Sequence, residues 1–338
     1  EGCINEFVEG GHPQCAVNPR TGFEDVYTGA ELAPARHPRK VAVVGGGPAG
    51  VLTAVIAAKR GHEVALYERE AGLCGMLNPG GAPKIKFDIV NYRNYLLGQV
   101  DSLVSAGRLR LELSSALTPE ALKAKGFDVI VTATGMRQSF PKVPGMDKPH
   151  VVSAIALLSD PARAKDASDI VVVGGGEVGR ETAFMLASEF GKKVKIVEML
   201  PVFMKGVCTA NRGYLIHHLE ELGVELINCA RVAEVKDGEI AIERNISKTV
   251  PDPYVTWTPV LPENIENPLA KPIKLDEAKQ SLKADLVVVA AGGVPDDAFF
   301  NECQKIQAAK EIRNIADSFA QGRILEATRA AYATAISL

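Results

Sequence analysis

The sequence predicts an α/β protein of two doubly wound, three-layer domains, and three observations carry that prediction. Val41-Ala-Val-Val-Gly-Gly-Gly-Pro-Ala-Gly50 returns as Ile170-Val-Val-Val-Gly-Gly-Gly-Glu-Val-Gly179. In each copy an apolar β-branched run ends in a G-x-G-x-x-G turn, continues into good helix formers and reaches a second strand ending in an acid, Glu68 or Glu198. A further apolar run into small residues follows each copy, at 127–135 and again at 284–293. The whole unit, rather than its glycines alone, makes both copies Rossmann-like.

The elements follow in order. Residues 1–38 are rich in Gly, Pro, Asn and His without periodicity, and are expected to be an irregular lead-in. Residues 40–44 read as a buried strand, 49–60 as a helix closed by Gly61, and 63–67 as the next strand. From Ser168 the pattern restarts, with a strand at 170–173, a helix at 177–190 closed by Gly191 and a strand at 194–197. Residues 231–243 alternate apolar and polar around Asp237-Gly238, a hairpin signature. The proline-rich stretch 251–272 is too long for a plain connection, and both a surface insertion over a site and a partner contact stay open. The chain closes with Ile315-Ala-Asp-Ser318 and a helix over 322–338.

At 338 residues the chain exceeds what one core supports, so two domains are expected. We place the lead-in at 1–38, a discontinuous first domain at 39–165 and 285–338, and a second domain inserted at 166–284. A net charge of -3 offers no basic field for nucleic acid or acidic lipid, so partners should be small molecules or proteins. Residues 41–58 carry no charge and reach the length of a membrane span, but four glycines and a proline make them strand, turn and buried helix. The opening Glu1-Gly-Cys-Ile-Asn has neither the basic start nor the apolar run of a secretion signal, and it lacks methionine, so a segment upstream is expected.

Six cysteines at 3, 15, 74, 208, 229 and 303 form no C-x-x-C pair, which suits a reduced, cytoplasmic protein and argues against a dithiol relay. Cys74, Cys208, Cys229 and Cys303 read as buried apolar fillers. His217 and His218, adjacent on a helix, are expected to face apart and not to bind metal.

In the first turn Gly45 allows the bend, Gly47 admits a diphosphate, Gly50 lets helix pack on strand, and Pro48 and Ala49 open the helix whose free amides meet phosphate. Glu68, 23 residues after Gly45 and followed by Arg69, is placed to accept from ribose hydroxyls, a spacing that fits an adenine dinucleotide. Gly174, Gly176 and Gly179 repeat these roles, with Glu177 and Val178 opening the second helix. Glu198, 24 residues after Gly174, favours a free 2′-hydroxyl over a 2′-phosphate, and no arginine follows it closely. NADH is therefore expected rather than NADPH, with Lys205 tempering the preference.

With Gly45-Gly-Gly-Pro-Ala-Gly50, Thr132-Ala-Thr-Gly135, the second glycine turn and Ile315-Ala-Asp317, residues 39–338 resemble the two-dinucleotide flavoproteins. In that glutathione-reductase-like arrangement an NAD(P)H domain interrupts an FAD domain. Cys3, eleven residues and Cys15-Ala-Val-Asn-Pro-Arg-Thr-Gly-Phe-Glu resemble the last two ligands of the four-cysteine iron–sulfur motif in the family of 2,4-dienoyl-CoA reductase, enoate reductases and trimethylamine dehydrogenase. The resemblance implies an intact parent in which an Old Yellow Enzyme type barrel with FMN and the other cluster ligands precede this chain. Two thiolates do not hold a 4Fe-4S cluster, so Cys3 and Cys15 are expected as free thiols here and as metal ligands in the parent only.

By the same resemblance, Gly45, Gly47, Gly50 and Glu68 bind the ADP half of FAD, and Gly75-Met76-Leu77 and Ala133-Thr134-Gly135 lie at the FAD site. Asp317 meets the ribityl and diphosphate region, Gly292 borders the NADH site and Glu181 approaches the nicotinamide. Two departures stand out: Ala316-Asp317 where relatives have Gly-Asp, and Cys74-Gly75-Met76 where Gly-Gly-Gln is common. Trimethylamine dehydrogenase keeps only ADP at this site, so the cofactor is FAD or ADP. The implied activity is hydride transfer from NADH to FAD, feeding in the parent a cluster and an FMN that reduce an enoate or enoyl-type double bond. The competing readings are a structural module that holds ADP or FAD without hydride transfer and a stand-alone NADH:acceptor reductase; a homo-oligomer is compatible with each.

Overall fold

The computed structural model describes residues 3–4, 11–27, 32–204, 207, 209–257, 265, 267–268 and 270–338. The chain divides into two compact units, the first of residues 1–81, 85–137 and 293–338, the second of 82–84 and 138–292. The first opens with β1 (Lys40–Val44), α1 (Pro48–Lys59), β2 (Glu63–Tyr67), α2 (Phe87–Ser105), β3 (Leu109–Glu112), α3 (Pro119–Ala124), β4 (Val129–Thr132) and a short β5 (Met136–Gln138). Then come β6 (Val151–Ser153), α4 (Ala154–Ser159), β7 (Asp169–Val173), α5 (Glu177–Phe190), β8 (Lys193–Val197), α6 (Thr209–Glu221) and β9 (Glu225–Ile227). They are followed by β10 (Ala230–Lys236), β11 (Glu239–Asn245), β12 (Glu277–Lys283) and β13 (Leu286–Val289). The chain returns through β14 (Gly293–Pro295), α7 (Ala298–Lys305), β15 (Glu311–Asn314) and α8 (Ile324–Ile336), with shorter helical turns between.

The first unit holds a parallel sheet of order β15-β4-β1-β2-β3. Its central strands are continuous Val, Ile, Leu and Ala runs because helices cover both faces. Helix α1 is buried from Ala49 to Ala58 and apolar on every side, sharing one core with Val43 and Leu66 of the sheet, Leu96 and Val100 of α2, and Ala331 of α8. On the other face Ala42, Ala65, Tyr67 and Ile130 pack with Leu122, Phe127 and Cys303. Residues 41–58 are thus strand, turn and buried helix, and among the described residues no helix is long and apolar enough to cross a membrane. The lead-in is helical at residues 3–4 and irregular over 11–27 and 32–38, and it packs on α8, with Thr328 Oγ1 donating to Ala16 O at 2.8 Å and the Tyr27 and Tyr332 rings 4.9 Å apart.

The second unit repeats the parallel order as β6-β13-β7-β8-β9. One face packs against its helices, while the antiparallel sheet β10-β11-β12 covers the other through Val235, Ile240, Ile242 and Leu282. The boundaries differ from those expected at 165/166 and 284/285. Val288 of β13 pairs with Val152 of β6 on one side and Val172 of β7 on the other, so residues 138–165 and 285–292 complete the second sheet.

The hairpin falls where expected, with Gly238 at φ +78° between β10 and β11. Strand β12 pairs with β11 over 277–283 against 239–245, and between these strands Tyr254 reaches the parallel sheet; the stretch 251–272 lies partly outside the described residues. Tyr254 Oη accepts from Leu226 N at 3.0 Å and donates to Val224 O at 2.9 Å, closing off backbone groups beside the edge strand β9. Tyr254→Phe should cost about 1–2 kcal/mol in a urea unfolding curve, since both groups lose their partner; an unchanged midpoint would show that water replaces the phenol.

Two other expectations change. His217 and His218 do not face apart: His217 Nε2 lies 3.4 Å and His218 Nδ1 2.8 Å from the two oxygens of Glu221, because positions three and four residues along share a helix face. Cys74 and Cys303 are buried fillers, burial pushing each thiol up to about 11, but Cys229 is only half-buried. Cys3 is exposed and Cys15 half-buried, both as free thiols, while Cys208 and Lys205 lie outside the described residues.

Candidate dinucleotide sites

Each parallel sheet is built outward from its central strand, with β2 and β3 to one side of β1 and β4 and β15 to the other; β8 and β9 stand opposite β13 about β7. At such a switch point the loops at the carboxyl ends diverge and leave a crevice. Both glycine turns stand at one.

In the first unit Gly45, at φ +106°, lies so close to the loop after β4 that a Cβ would come 2.2 Å from Ala133 O. A Cβ on Gly50 would come 1.9 Å from Gly45 O, whereas one on Gly47 would meet nothing within 4 Å. No side chain caps α1, so its first amides are left for a ligand. Glu68, 9% exposed, accepts Gly46 N at 2.6 Å on one oxygen and Glu70 N at 2.8 Å on the other. The second turn copies this: a Cβ would lie 2.4 Å from Ala290 O at Gly174 and 2.0 Å from Gly174 O at Gly179, and in open space at Gly176. Glu198 accepts Gly175 N at 2.6 Å and Leu200 N at 2.9 Å. Both acids therefore hold their turns in shape.

The structure also shows a part of each site that sequence reasoning missed. Six residues after the acid, Cys74 N donates to Gly46 O at 2.7 Å and Met204 N to Gly175 O at 3.3 Å. Both residues sit at positive φ, +74° and +51°, and the residue before each, Leu73 or Phe203, covers the middle glycine. The only sequence signal is the equal spacing of Leu-Cys and Phe-Met from their acids. This return loop brings Gly75 against the first turn, its Cβ direction 3.2 Å from Gly47 Cα, and places exposed Met76 and buried Leu77 beside it.

The remaining candidates divide. Thr134 Oγ1 donates to Asp296 O at 2.6 Å and Gly135 accepts from Asp296 N at 3.0 Å, which fixes the loop after β4. Arg69 is exposed, its Nε 3.4 Å from Glu70 Oε1. In the second unit Val178 and Gly292 are exposed, and Glu177 and Glu181 are half-buried in the first turns of α5.

The closing motif docks on β4 through Ile315 N to Thr132 O at 3.0 Å. Asn314, also missed, gathers it: its Oδ1 accepts from Thr132 Oγ1 at 2.9 Å and Ser318 Oγ at 2.7 Å, and its Nδ2 donates to Ser318 O at 2.8 Å. Asp317 accepts Gly322 N at 2.9 Å, and burial holds its carboxyl above the usual aspartate range. Ala316 holds φ +55°, a left-handed backbone that favours glycine. Ala316→Gly should therefore stabilise the first unit by about 1 kcal/mol in thermal unfolding, and a loss of stability would show that the turn carries no strain.

Two parallel sheets, each presenting an uncapped helix, an open glycine and a strand-end acid at its switch point, define a dinucleotide-binding α/β protein with two sites. The chain belongs to the pyridine nucleotide-disulphide oxidoreductase family, whose profile matches residues 39–321. It is 32% identical over 342 residues to the NADH oxidase of Thermoanaerobacter brockii, a match covering 99% of this chain and 46% of that protein. It is 31% identical over 253 residues to the cinnamate reductase of Clostridium sporogenes, covering 74% of this chain and 36% of that one. Among solved structures it resembles a 2-naphthoyl-CoA reductase complexed with 2-naphthoyl-CoA, with TM-score 0.81 and 26% identity, over 100% of this chain and 45% of that one. The chain thus spans less than half the length of these relatives. The family resemblance read from the sequence holds, and it makes the chain an oxidoreductase module with FAD and pyridine-nucleotide binding as its family traits.

Proposed function

We propose that the first unit holds FAD and the second NADH, and that the chain passes hydride from NADH to the flavin. The observation that carries this is the duplicated turn: one open glycine before an uncapped helix and one acid-clamped loop in each unit. Gly45, Gly47, Pro48, Ala49, Gly50 and Glu68 would hold the ADP half of FAD, with Gly75, Met76, Leu77, Ala133, Gly135 and Asp317 toward the flavin. Gly174, Gly176, Glu177, Val178, Gly179, Glu198 and Gly292 would hold NADH, with Glu181 near the nicotinamide. When bound, the flavin supplies a two-electron acceptor. The chain's own residues bind and orient two rings rather than move protons. In the parent this module would feed an iron–sulfur cluster and an FMN barrel acting on an enoate or enoyl-type double bond; the relatives' names, an oxidase and two reductases, support the oxidoreductase part of that reading.

The test is anaerobic. The full chain reconstituted with FAD should be yellow and bleach on adding NADH, whereas a flavin that stays oxidised would overturn the reading. A second reading, with ADP alone in the first unit, draws on Cys74 and Ala316, two residues with a Cβ at positive φ, +74° and +55°. It predicts a colourless protein that releases ADP on denaturation.

A further inference from the structure

The second unit buries an arginine that the assignments above leave unused. Arg180 stands in the opening turns of α5 with no exposed surface, and its Nε, Nη1 and Nη2 all lack a hydrogen-bond partner. Its guanidinium carbon lies 5.5 Å over the Phe203 ring, and that same ring covers Gly175 in the glycine turn. Arg212, 2% exposed, donates to Phe203 O at 3.0 Å and Val255 O at 2.7 Å, and keeps Nη1 without a partner.

A buried guanidinium is retained only where something compensates its charge. Burial and the neighbouring Arg212 push Arg180 down to about 9, and Glu198, Glu177 and Glu181 oppose that shift without bonding to it. Arg180 N donates to Gly176 O at 3.3 Å, which sets the arginine one turn along α5 from the open space at Gly176 and the positive end of the helix dipole. A buried guanidinium without a hydrogen-bond partner thus stands one turn from an uncapped helix end, with Glu177, Glu181 and Glu198 acting on it only through space.

We propose that Arg180 is the phosphate-binding cation of the second site, pairing with a phosphate of the bound dinucleotide once the Phe203 ring turns aside. The proposal rests on the reading of this unit as a nucleotide site. The phosphate comes either from the diphosphate that NADH and NADPH share or from the 2′-phosphate that NADPH alone carries.

The experiment titrates NADH, NADPH, ADP-ribose, AMP and 2′,5′-ADP calorimetrically into the full chain, wild type, Arg180→Met and Arg180→Lys, and records the melting temperature of each without ligand. Arg180→Met should melt higher without ligand, having lost an unpaired charge, and bind the affected ligands ~10-fold or more weaker. Arg180→Lys, which keeps the charge but not the fork, should lose less and guards against a methionine that packs poorly. Equal losses for NADH, NADPH and ADP-ribose that spare AMP assign the diphosphate; losses confined to NADPH and 2′,5′-ADP assign the 2′-phosphate. Unchanged affinities in Arg180→Met overturn the proposal while leaving the nucleotide site standing. A wild type that binds none of the dinucleotides overturns the site, and the proposal with it.

Discussion

Gly50→Ala should unfold the first unit, whereas Gly47→Ala, three residues earlier, should fold normally and fail to retain flavin. The added Cβ of Gly50→Ala would stand 1.9 Å from Gly45 O, a backbone atom fixed by the bond from Gly45 N to Tyr67 O at 2.8 Å. Relief requires α1 to leave β1, and the cost should exceed ~4 kcal/mol, beyond most single substitutions. At Gly47 the backbone, φ -69° and ψ 179°, suits any residue, and a Cβ meets no protein atom within 4 Å. It would instead fill the space a diphosphate needs. Thermal unfolding by circular dichroism and flavin content after reconstitution separate the two. Wild-type melting in Gly50→Ala, or full flavin in Gly47→Ala, would each contradict this division between packing and binding. Gly179 and Gly176 should divide in the same way for NADH.

The second large effect concerns Glu198. Reading it only as a ribose acid suggests that Glu198→Arg shifts preference toward NADPH. The structure changes that expectation, because the carboxylate also holds Gly175 N and Leu200 N, and the new guanidinium would join buried Arg180 and Arg212. Glu198→Arg should therefore weaken both nucleotides and destabilise the second unit by about 1–3 kcal/mol, most of it from the buried Gly175 amide. Glu198→Gln keeps an acceptor oxygen and removes the charge. It should fold and raise the ratio of NADPH to NADH affinity by ~10-fold, as repulsion of the 2′-phosphate is lost. An unchanged ratio in calorimetric titrations of Glu198→Gln would remove Glu198 from the ribose contact.

The strand–turn–helix–strand units were legible because their signals are local. Runs such as Val41–Val44 and Val171–Val173 can only be buried strands once a glycine turn follows, and Gly61 and Gly191 close the helices at φ +93° and +61°. Sheet membership was not local. A strand buried on both faces reads the same in either parallel sheet, so Leu286–Val289 gave no sign that its partners are Val151–Ser153 and Asp169–Val173. Helix Phe87–Ser105 does carry a buried stripe, Tyr92, Leu96, Val100 and Leu103, but Asn, Arg and Tyr between those positions dilute it. At the sites the glycines and acids were readable, and Cys74 and Ala316 stood out only through the family resemblance; Met204 did not, since its left-handed backbone lacks the glycine or asparagine that would announce it. Arg180, flanked by Gly179 and Glu181, carries no local signal of its burial.

The return loops have a kinetic and entropic consequence. Gly46 is held from both ends, its amide by Glu68 and its carbonyl by Cys74, and Gly175 likewise by Glu198 and Met204. Each turn is therefore a closed ring of hydrogen bonds before any nucleotide arrives. Such a loop loses little freedom on association, so little of the phosphate contact energy is diverted into ordering the chain. Encounter rates should then follow how the nucleotide diffuses and orients itself, rather than how often a mobile loop finds its shape.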